Sequence, residues 1–509
     1  MHARLASLCR TVILGIALVM AFTATASASP AAGEVRFVQE AKSSFDQFTQ
    51  APSAQTQAWM RDHYNRMRTY APYFDGRTSW YSNGWSYKDS YAIYKDDGAT
   101  QTTHPEWILK DPQGKRLFIP YGCGGGTCPL FAGDIGNPAF RANWINEARV
   151  TMAQNYKGLF VDDVNMEFRV GNGNGDHVAP MNPRTGRPMT AAEWRRYMAD
   201  FMEEIRAAFP SKEIVHNAIW FAGTTDPDIR RAYKAADVIN LERGVVDGGI
   251  TAGGGQFGYE TYLSQIDWLH SQGIAVTLDS YADSRVSAEY NLASYFLING
   301  ETDTYRTDWR STPEDWWTGY DVSLGAPKGQ RYVAGGLLRR DFENGYAVVN
   351  QPGRPSVTVN TPGGAGPDGA PRESVTLAGG QGAVILGQVP APAAAAASLS
   401  LKPVPNPISA SVPGRAATKA APSTRLRRSV LVRGSVRRSQ GGRVLVQIRR
   451  LKNGRWITVR RAHVRVAKDG RFARLFTGLQ RGRYSAKGHY LKASAAQVKV
   501  ASRSFSIRR

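Results

Sequence analysis

The strongest constraint on the fold is a repeated unit: a short, almost wholly apolar run that ends on a polar or acidic residue and is followed by a stretch with helical spacing. GLFVDD (158–163) is the clearest case, since Leu159, Phe160 and Val161 contain nothing polar before the adjacent pair Asp162 and Asp163. A run apolar on both faces belongs to a parallel sheet covered on both sides, and such sheets need crossover helices. TYAPYFD (69–75), YAIYKDD (91–97), EIVHNAIW (213–220), ADVINLE (236–242), IAVTLDS (274–280) and TDTYR (302–306) read as further strands. Between them AFRANWINEARVTMAQNY, TAAEWRRYMADFMEEIRAAF, YETYLSQIDWLHSQG and SAEYNLASYFLING place apolar residues at helical intervals. Seven strands is one short of a (β/α)8 barrel, and the missing strand, the third, is expected near LFIP or GDIGN. The expected fold is an α/β TIM barrel over residues 61–325, a span that suits the usual length of about 250 residues.

A barrel brings the carboxyl ends of its strands to one rim, where chemistry is assembled. Asp75, Lys95 with Asp97, Asp162 with Asp163, Asn217, Glu242 and Asp279 all follow apolar strand cores. Any one acid in such a place can simply cap the next helix. Glu242 fits that reading worst, because Glu is a poor N-cap and the strand before it is almost wholly apolar. Two carboxylates facing across a cleft are the equipment for breaking a glycosidic bond, one giving a proton to the leaving oxygen and the other stabilising or capturing the oxocarbenium-like centre. Asp162 and Glu242 are the candidate catalytic pair, with Asp163 directed to the opposite face. Tyr73, Asp75, Lys95, Asp97, Asp163, Asn217, Asp279 and Tyr281 are candidate substrate contacts. Aromatic residues gather in the same half (Phe74, Trp80, Tyr81, Trp85, Tyr87, Tyr91, Tyr94, Trp107). Most are expected in the core and the remainder to stack on sugar faces.

The remainder of the chain bears on compartment and partners. Residues 1–28 carry Arg4 and Arg10, the apolar run TVILGIALVMAF and Ala26-Ser27-Ala28, the layout of a secretory signal peptide. Secretion, to the medium or the cell wall, is the expectation, and no later stretch reaches the ~18 apolar residues of a membrane span. Cys123 and Cys128, in YGCGGGTCPLF, then read as one disulfide. A zinc site would need further ligands nearby. Residues 401–509 hold 28 Lys or Arg against the single acid Asp469, a charge of +27, whereas residues 1–400 sum to −5. Residues 29–60 read as an N-terminal extension, 326–389 as a small antiparallel β unit, 390–422 as an Ala/Pro-rich linker and 423–509 as a basic β-sandwich-like module with hairpin turns at Asn453-Gly454 and Asp469-Gly470. Charge of that density should seek a polyanion, an anionic cell-wall polymer or a membrane surface. Nucleic acid fits poorly with secretion and with the acidic barrel.

The ordered motifs FDGRTSWYSNGW, YKDSYAIYKDD, HPEWILKDPQGKRL, DIGNPAFRANW, GLFVDDVNM, ADVINLERG and LRRDFENGYAVVNQPG resemble a family of barrel glycoside hydrolases, the hypothetical glycosyl hydrolases, over about residues 60–390. That family is distantly similar to the endo-α-1,4-polygalactosaminidases. The resemblance implies a sugar-cleaving barrel with a polysaccharide or exopolysaccharide substrate and no metal or organic cofactor, and it matches the suspected catalytic acids to Asp162 and Glu242. Asn165 stands where the polygalactosaminidase pattern has an acid, so the amino-sugar substrate does not carry over. The alternative from another class is a non-catalytic carbohydrate-binding or cell-surface adhesion protein on a degenerate barrel. The separation of the Asp162 and Glu242 carboxyls discriminates the two.

Overall fold

The computed structural model describes residues 32–387, apart from 43–44, 71–74, 96–99, 219 and 248, together with strands between residues 430 and 507. The signal-peptide segment, Cys9, the linker, Tyr73, Asp97, the side chain of Asp75 and both expected hairpin turns lie outside the described residues. Contacts divide the chain into two units, 1–406 and 407–509. No helix among the described residues is long and apolar enough to cross a membrane.

Eight parallel strands form one sheet in the order β1 (Val38–Ala41), β2 (Arg66–Thr69), β3 (Gly84–Asp89), β4 (Gly158–Val164), β5 (Glu213–Ala218), β6 (Val238–Glu242), β7 (Ala275–Asp279) and β8 (Thr304–Arg306). Phe37, just before β1, bridges in parallel to Tyr305 of β8, which brings the sheet close to a full barrel. Helices α1 (Ala54–His63), α2 (Pro138–Met152), α3 (Ala191–Ala208), α4 (Pro227–Lys234), α5 (Tyr259–Ser271) and α6 (Arg285–Ile298) run between the strands. Their ends follow local chemistry: Asn137 caps α2 ahead of Pro138, and Thr190 and Glu193 close a reciprocal capping box on α3. The buried stripe of α3, Trp194, Met198, Phe201, Met202 and Ile205, is the apolar pattern of its sequence.

Inside the barrel, side chains alternate along each strand. Val38, Trp85, Phe160, Val215, Val238 and Ala275 pack together as an apolar layer. Two positions further along several of these strands stand Glu40, Tyr87, Asp162, Asn217 and Asn240, so the layer above is polar. In it a ring of four charges joins the ends of the sheet. Arg68 reaches Glu40 at 2.6 Å and Asp279 at 3.3 Å, while Arg306 pairs with Glu40 and, at 2.5 Å, with Asp279. All four residues are buried. Opposing charges hold the Glu40 carboxyl well below the usual range despite its burial, because both arginines and Lys42 face it.

The three N-terminal strands differ from the sequence reading. The missing strand is not near LFIP or GDIGN but at Val38–Ala41, inside the segment 29–60 that reads as an extension. The second ends at Thr69, the residue at which the run TYAPYFD starts, and Asp75 opens a short helix, Asp75–Thr78, instead of ending a strand. The third is GWSYKD; in YAIYKDD only Ala92–Tyr94 is strand, paired antiparallel with Leu130–Ala132 outside the barrel. The cause is common to all three. VQEA, RMRT and GWSYKD send polar side chains inward to the charged layer, so they lack the apolar run by which buried strands are recognised.

Residues 326–387 form the antiparallel unit: strands β9 (Tyr332–Ala334), β10 (Leu337–Phe342), β11 (Gly345–Asn350) and β14 (Gln381–Leu386) make one sheet, and β12 (Val357–Asn360) with β13 (Ser374–Leu377) a hairpin. It is tied to α6 through Arg372 and Glu289 and through Arg340, which donates to the carbonyls of Phe296 and Asn299. The second unit holds a four-stranded antiparallel sheet, in the order Arg455–Arg465, Arg443–Lys452, Gly482–Leu491, Gln497–Ile507, and a two-stranded one, Val430–Ser435 with Arg471–Phe476.

Removing one arginine of the buried ring leaves two buried carboxylates sharing the other guanidinium, and breaking a buried pair in this way costs about 3 to 5 kcal/mol. Arg306→Met is therefore expected to lower the urea unfolding free energy by that amount, and an unchanged unfolding curve would show that the ring contributes nothing to closing the barrel.

Candidate functional site

The carboxyl ends of β3 to β7 carry the polar cluster. Asp162 lies near the end of β4, in register with Asp89 of β3, and Glu242 ends β6, in register with Asp279 of β7. The side-chain amide of Asn217, from β5, lies between the two acids. Its Nδ2 donates to Asp162 Oδ1 at 2.7 Å and to Glu242 Oε2 at 2.9 Å. Those two oxygens are thus at most about 5.6 Å apart, the sum of the two bonds. The Asn217 amide is oriented in turn by Asn240, whose Nδ2 donates to Asn217 Oδ1 at 3.0 Å and to Asp279 Oδ2 at 3.2 Å. Asp279 belongs to the charged ring, so one chain of hydrogen bonds runs from the ring to both acids.

Each acid has further partners. The Tyr87 hydroxyl donates to Asp162 Oδ2 at 2.6 Å, and the backbone N–H of Asp163 to Asp162 Oδ1 at 2.7 Å. The Tyr281 hydroxyl, on a residue 43% exposed, donates to Glu242 Oε1 at 3.1 Å. Burial and the neighbouring carboxylates push both phenols upward, which keeps them as donors. Tyr87 also stacks on Tyr70, ring centroids 4.2 Å apart. Behind each acid the backbone takes a left-handed residue, Asp163 at φ 53° and Arg243 at φ 66°. At the first of these the pairing of β4 with β5 slips between Val161 and Val164. Behind Glu242 the turn is so tight that a Cβ on Gly244, itself at φ 48°, would sit 1.9 Å from Ser280 Oγ.

Asp163 is buried behind Asp162. Its Oδ1 accepts from Asn165 Nδ2 at 2.9 Å and from Arg169 Nη1 at 2.6 Å, so it ties down the loop that follows β4. Asn165, the position that departs from the polygalactosaminidase pattern, therefore lies in this buried support. Asp89, also buried, accepts the backbone N–H groups of Tyr91 and Ala92 at 2.9 and 2.8 Å. Burial pushes the Asp89 carboxyl well up, and the charges of Asp163 and Asp162 add to it. Burial, then Asp162, pushes Asp163 up to about 6 against the opposing charge of Arg169.

Of the residues singled out in the sequence, Asp162, Asn217, Glu242, Asp279 and Tyr281 share this network, and Asp163 supports it. Lys95 lies elsewhere: it follows Ala92–Tyr94, and its Nζ donates to Thr127 Oγ1 at 2.8 Å in the loop closed by the Cys123–Cys128 disulfide. Among the aromatics, Tyr81, Trp85, Tyr91 and Trp107 are core, and Tyr94 is exposed. Sequence reasoning missed Tyr87 as an acid's partner and missed Asp89, Asn240, Glu40, Arg68 and Arg306. The available signal for Asn240 was a lone amide inside the apolar strand VINLE. Among the described residues no group of three or more His, Cys, Asp or Glu could hold a metal ion.

A parallel eight-stranded barrel with two carboxylates joined through one amide at the carboxyl ends of its strands has the build of a carbohydrate-active barrel enzyme. The model of hypothetical glycosyl hydrolase family 15 matches residues 72–346, more than half of the chain, and the chain belongs to that family. It is a glycoside hydrolase, and its substrate is a carbohydrate. No curated protein matches it. Similar solved structures include the glycoside hydrolase domain of PelA from Pseudomonas aeruginosa (15% identity over 54% of this chain and 94% of that one, TM-score 0.35). Others are the cyclic α-maltosyl-(1→6)-maltose hydrolase of Arthrobacter globiformis (13%, 70% and 99%, TM-score 0.36) and the trehalose-6-phosphate hydrolase of Bacillus licheniformis (9%, 70% and 99%, TM-score 0.39). At these scores the likenesses assign no residue and no sugar.

The raised carboxyl of Asp163 has a consequence for stability. Between its ordinary value of 3.8 and about 6 the folded protein holds protons that the unfolded chain has released, so stability falls as pH rises through that window. Asp89→Asn removes one of the crowded acids. Asp89 is raised in its own right by burial and by the charges of Asp163 and Asp162, so it adds to the same slope. Unfolding midpoints measured across the window should fall less steeply for Asp89→Asn than for the parent, and equal slopes would show that Asp89 contributes no raised carboxyl.

Proposed function

We propose that the protein is a secreted retaining glycoside hydrolase that cleaves a polysaccharide, with Asp162 as nucleophile and Glu242 as acid and base. The observation that carries the reading is the Asn217 amide shared by both carboxylates. It caps the nearest-oxygen separation at about 5.6 Å, whereas inverting enzymes hold their carboxyl groups about 6.5 to 9.5 Å apart to admit a water and retaining ones about 5 to 5.5 Å. Three donors converge on Asp162, from Tyr87, Asn217 and its own neighbour's N–H, an environment suited to an anion that attacks carbon. Glu242 stands beside the more open Tyr281, where a leaving oxygen can reach it.

In the first step Glu242 gives its proton to the glycosidic oxygen while Asp162 attacks the anomeric carbon, forming a glycosyl ester and releasing the first sugar fragment. In the second, Glu242 takes a proton from water, the hydroxide equivalent displaces Asp162, and both carboxyls return to their starting states. The adhesion alternative is favoured by carboxylates that stand apart; their common tie to Asn217 argues against it. Secretion is supported by the signal-peptide pattern of residues 1–28 and by the Cys123–Cys128 bond, which suits an oxidising compartment.

On a panel of bacterial and fungal exopolysaccharides, Asp162→Asn and Glu242→Gln should each lower kcat by orders of magnitude with unchanged unfolding midpoints. Asn217→Ala should cost roughly 10²-fold, the usual effect of removing one donor from a developing charge. The first-formed anomer, followed by NMR, should match that of the substrate. Near-parental turnover in either acid variant would end the assignment of the pair, and an inverted first product would end the nucleophile role of Asp162 alone.

A further inference from the structure

The second unit carries its charge unevenly, and the strand register says how. Residues directly opposite one another in an antiparallel pair share a face. Arg443 stands opposite Arg465 and Leu491, Leu445 opposite His463 and His489, Gln447 opposite Arg461 and Lys487, and Arg449 opposite Thr458 and Ser485. On the outer strand Lys487 faces Ser502, His489 faces Lys499 and Ser485 faces Ser504. One face of the sheet thus collects Arg443, Arg449, Arg461, Arg465, Lys487 and Lys499, interleaved with two histidines and with Ser, Thr and Gln. No Asp or Glu occurs in any of the four strands.

The alternate register positions hold Val444, Val446, Ile448, Ala462, Val464, Ala486, Tyr490, Val498 and Ala501. Ile448 is fully buried, which marks this second face as the covered one, while Gln447 and Arg449 on the first are only half-buried. Of the basic residues on the second face, Arg455, Arg460 and Arg503 fall on the sheet's two edge strands, and Arg450 and Lys452 lie at their strand's end, past the register shift at Ile448. The cations of the first face include three on central strands, Arg443, Arg449 and Lys487.

We propose that this cationic face binds an anionic polysaccharide, a chain bearing repeated carboxylate, sulfate or phosphate groups, and so gives the enzyme a hold on a polyanion that its barrel does not supply. Charge complementarity carries the inference. Residues 401–509 sum to +27 and residues 1–400 to −5, so a polyanion is drawn to the second unit and not to the first. The hydroxyl and amide residues between the cations favour a sugar polymer, since they match its hydroxyl groups while the Lys and Arg match its anions. A membrane surface asks for apolar residues that enter the acyl boundary, and on this face Leu445, Leu451, Leu491 and Trp456 are outnumbered by the hydroxyl and amide residues.

The test uses the full-length chain and binding alone, so its failure leaves the catalytic reading standing. Immobilised polygalacturonate is the probe and dextran the uncharged control, across a salt series. The parent should be retained on polygalacturonate, not on dextran, and released steeply as salt rises. Arg443→Gln, Arg461→Gln, Lys487→Gln and Lys499→Gln together should weaken binding about tenfold or more, because four screened attractions vanish at once. Equal neutralisation at sequence positions ahead of the four strands, Lys419→Gln with Arg425→Gln, Arg427→Gln and Arg428→Gln, should change it little. Arg443→Lys with Arg461→Lys should keep it, which separates loss of charge from loss of fold. The proposal is overturned by absent or salt-insensitive retention, by equal losses in the two neutralised variants, or by phosphatidylglycerol vesicles or duplex DNA displacing the protein better than free polygalacturonate does.

Discussion

The site depends on one side-chain amide. Asn217 has two N–H groups and one carbonyl oxygen, and all three are committed: the hydrogens to Asp162 and Glu242, the oxygen to Asn240. An amide fixed on one side by Asn240, itself held by Asp279, cannot turn without breaking all three of its hydrogen bonds, two of them to carboxylates on a half-buried wall. Two carboxylates that would otherwise repel are held at a set separation by a group that favours both. The position of the acids is thus inherited from the barrel wall and not from the ends of loops, the arrangement that keeps reacting groups in place.

The same network explains how the barrel closes. The first and eighth strands meet at the backbone bridge from Phe37 to Tyr305, while Arg68 and Arg306 each span from Glu40 on β1 to Asp279 on β7. Ion pairs this deep are no free gain, because desolvation offsets much of their attraction. Their value lies in direction: a guanidinium fork meets two carboxylates in one geometry only. The closure and the catalytic layer share Asp279, so strand register at the seam and the aim of Asn217 are set together.

Behind the acids, the supporting carboxyls occupy a crowded and dry place. Asp89 and Asp163 lie beside Asp162, with Arg169 as the nearby cation. Burial and their neighbours' charges push both supporting carboxyls upward. The left-handed residues Asp163 and Arg243 turn the chain away directly behind each acid, and backbone of that kind persists where the surrounding structure holds it.

How much of this was legible follows from what a strand shows in one dimension. β4 to β7 have apolar cores bounded by turns, so GLFVDD, EIVHNAIW, ADVINLE and IAVTLDS could be read as strands, and Asp162, Asn217, Glu242 and Asp279 as their polar ends, while TDTYR reads as the last strand without such a core. The charge balance likewise set the basic module apart from the barrel by composition alone. β1 to β3 could not be read, because VQEA, RMRT and GWSYKD bury charge and hydroxyl groups that are satisfied only by partners far along the chain: Glu40 by Arg306, Arg68 by Asp279, Tyr87 by Asp162. The linear pattern therefore determined which segments are barrel strands wherever burial is apolar. Only the tertiary structure decided which polar residues meet, because hydrogen bonds and ion pairs between residues so distant along the chain leave no periodic trace in the sequence that makes them.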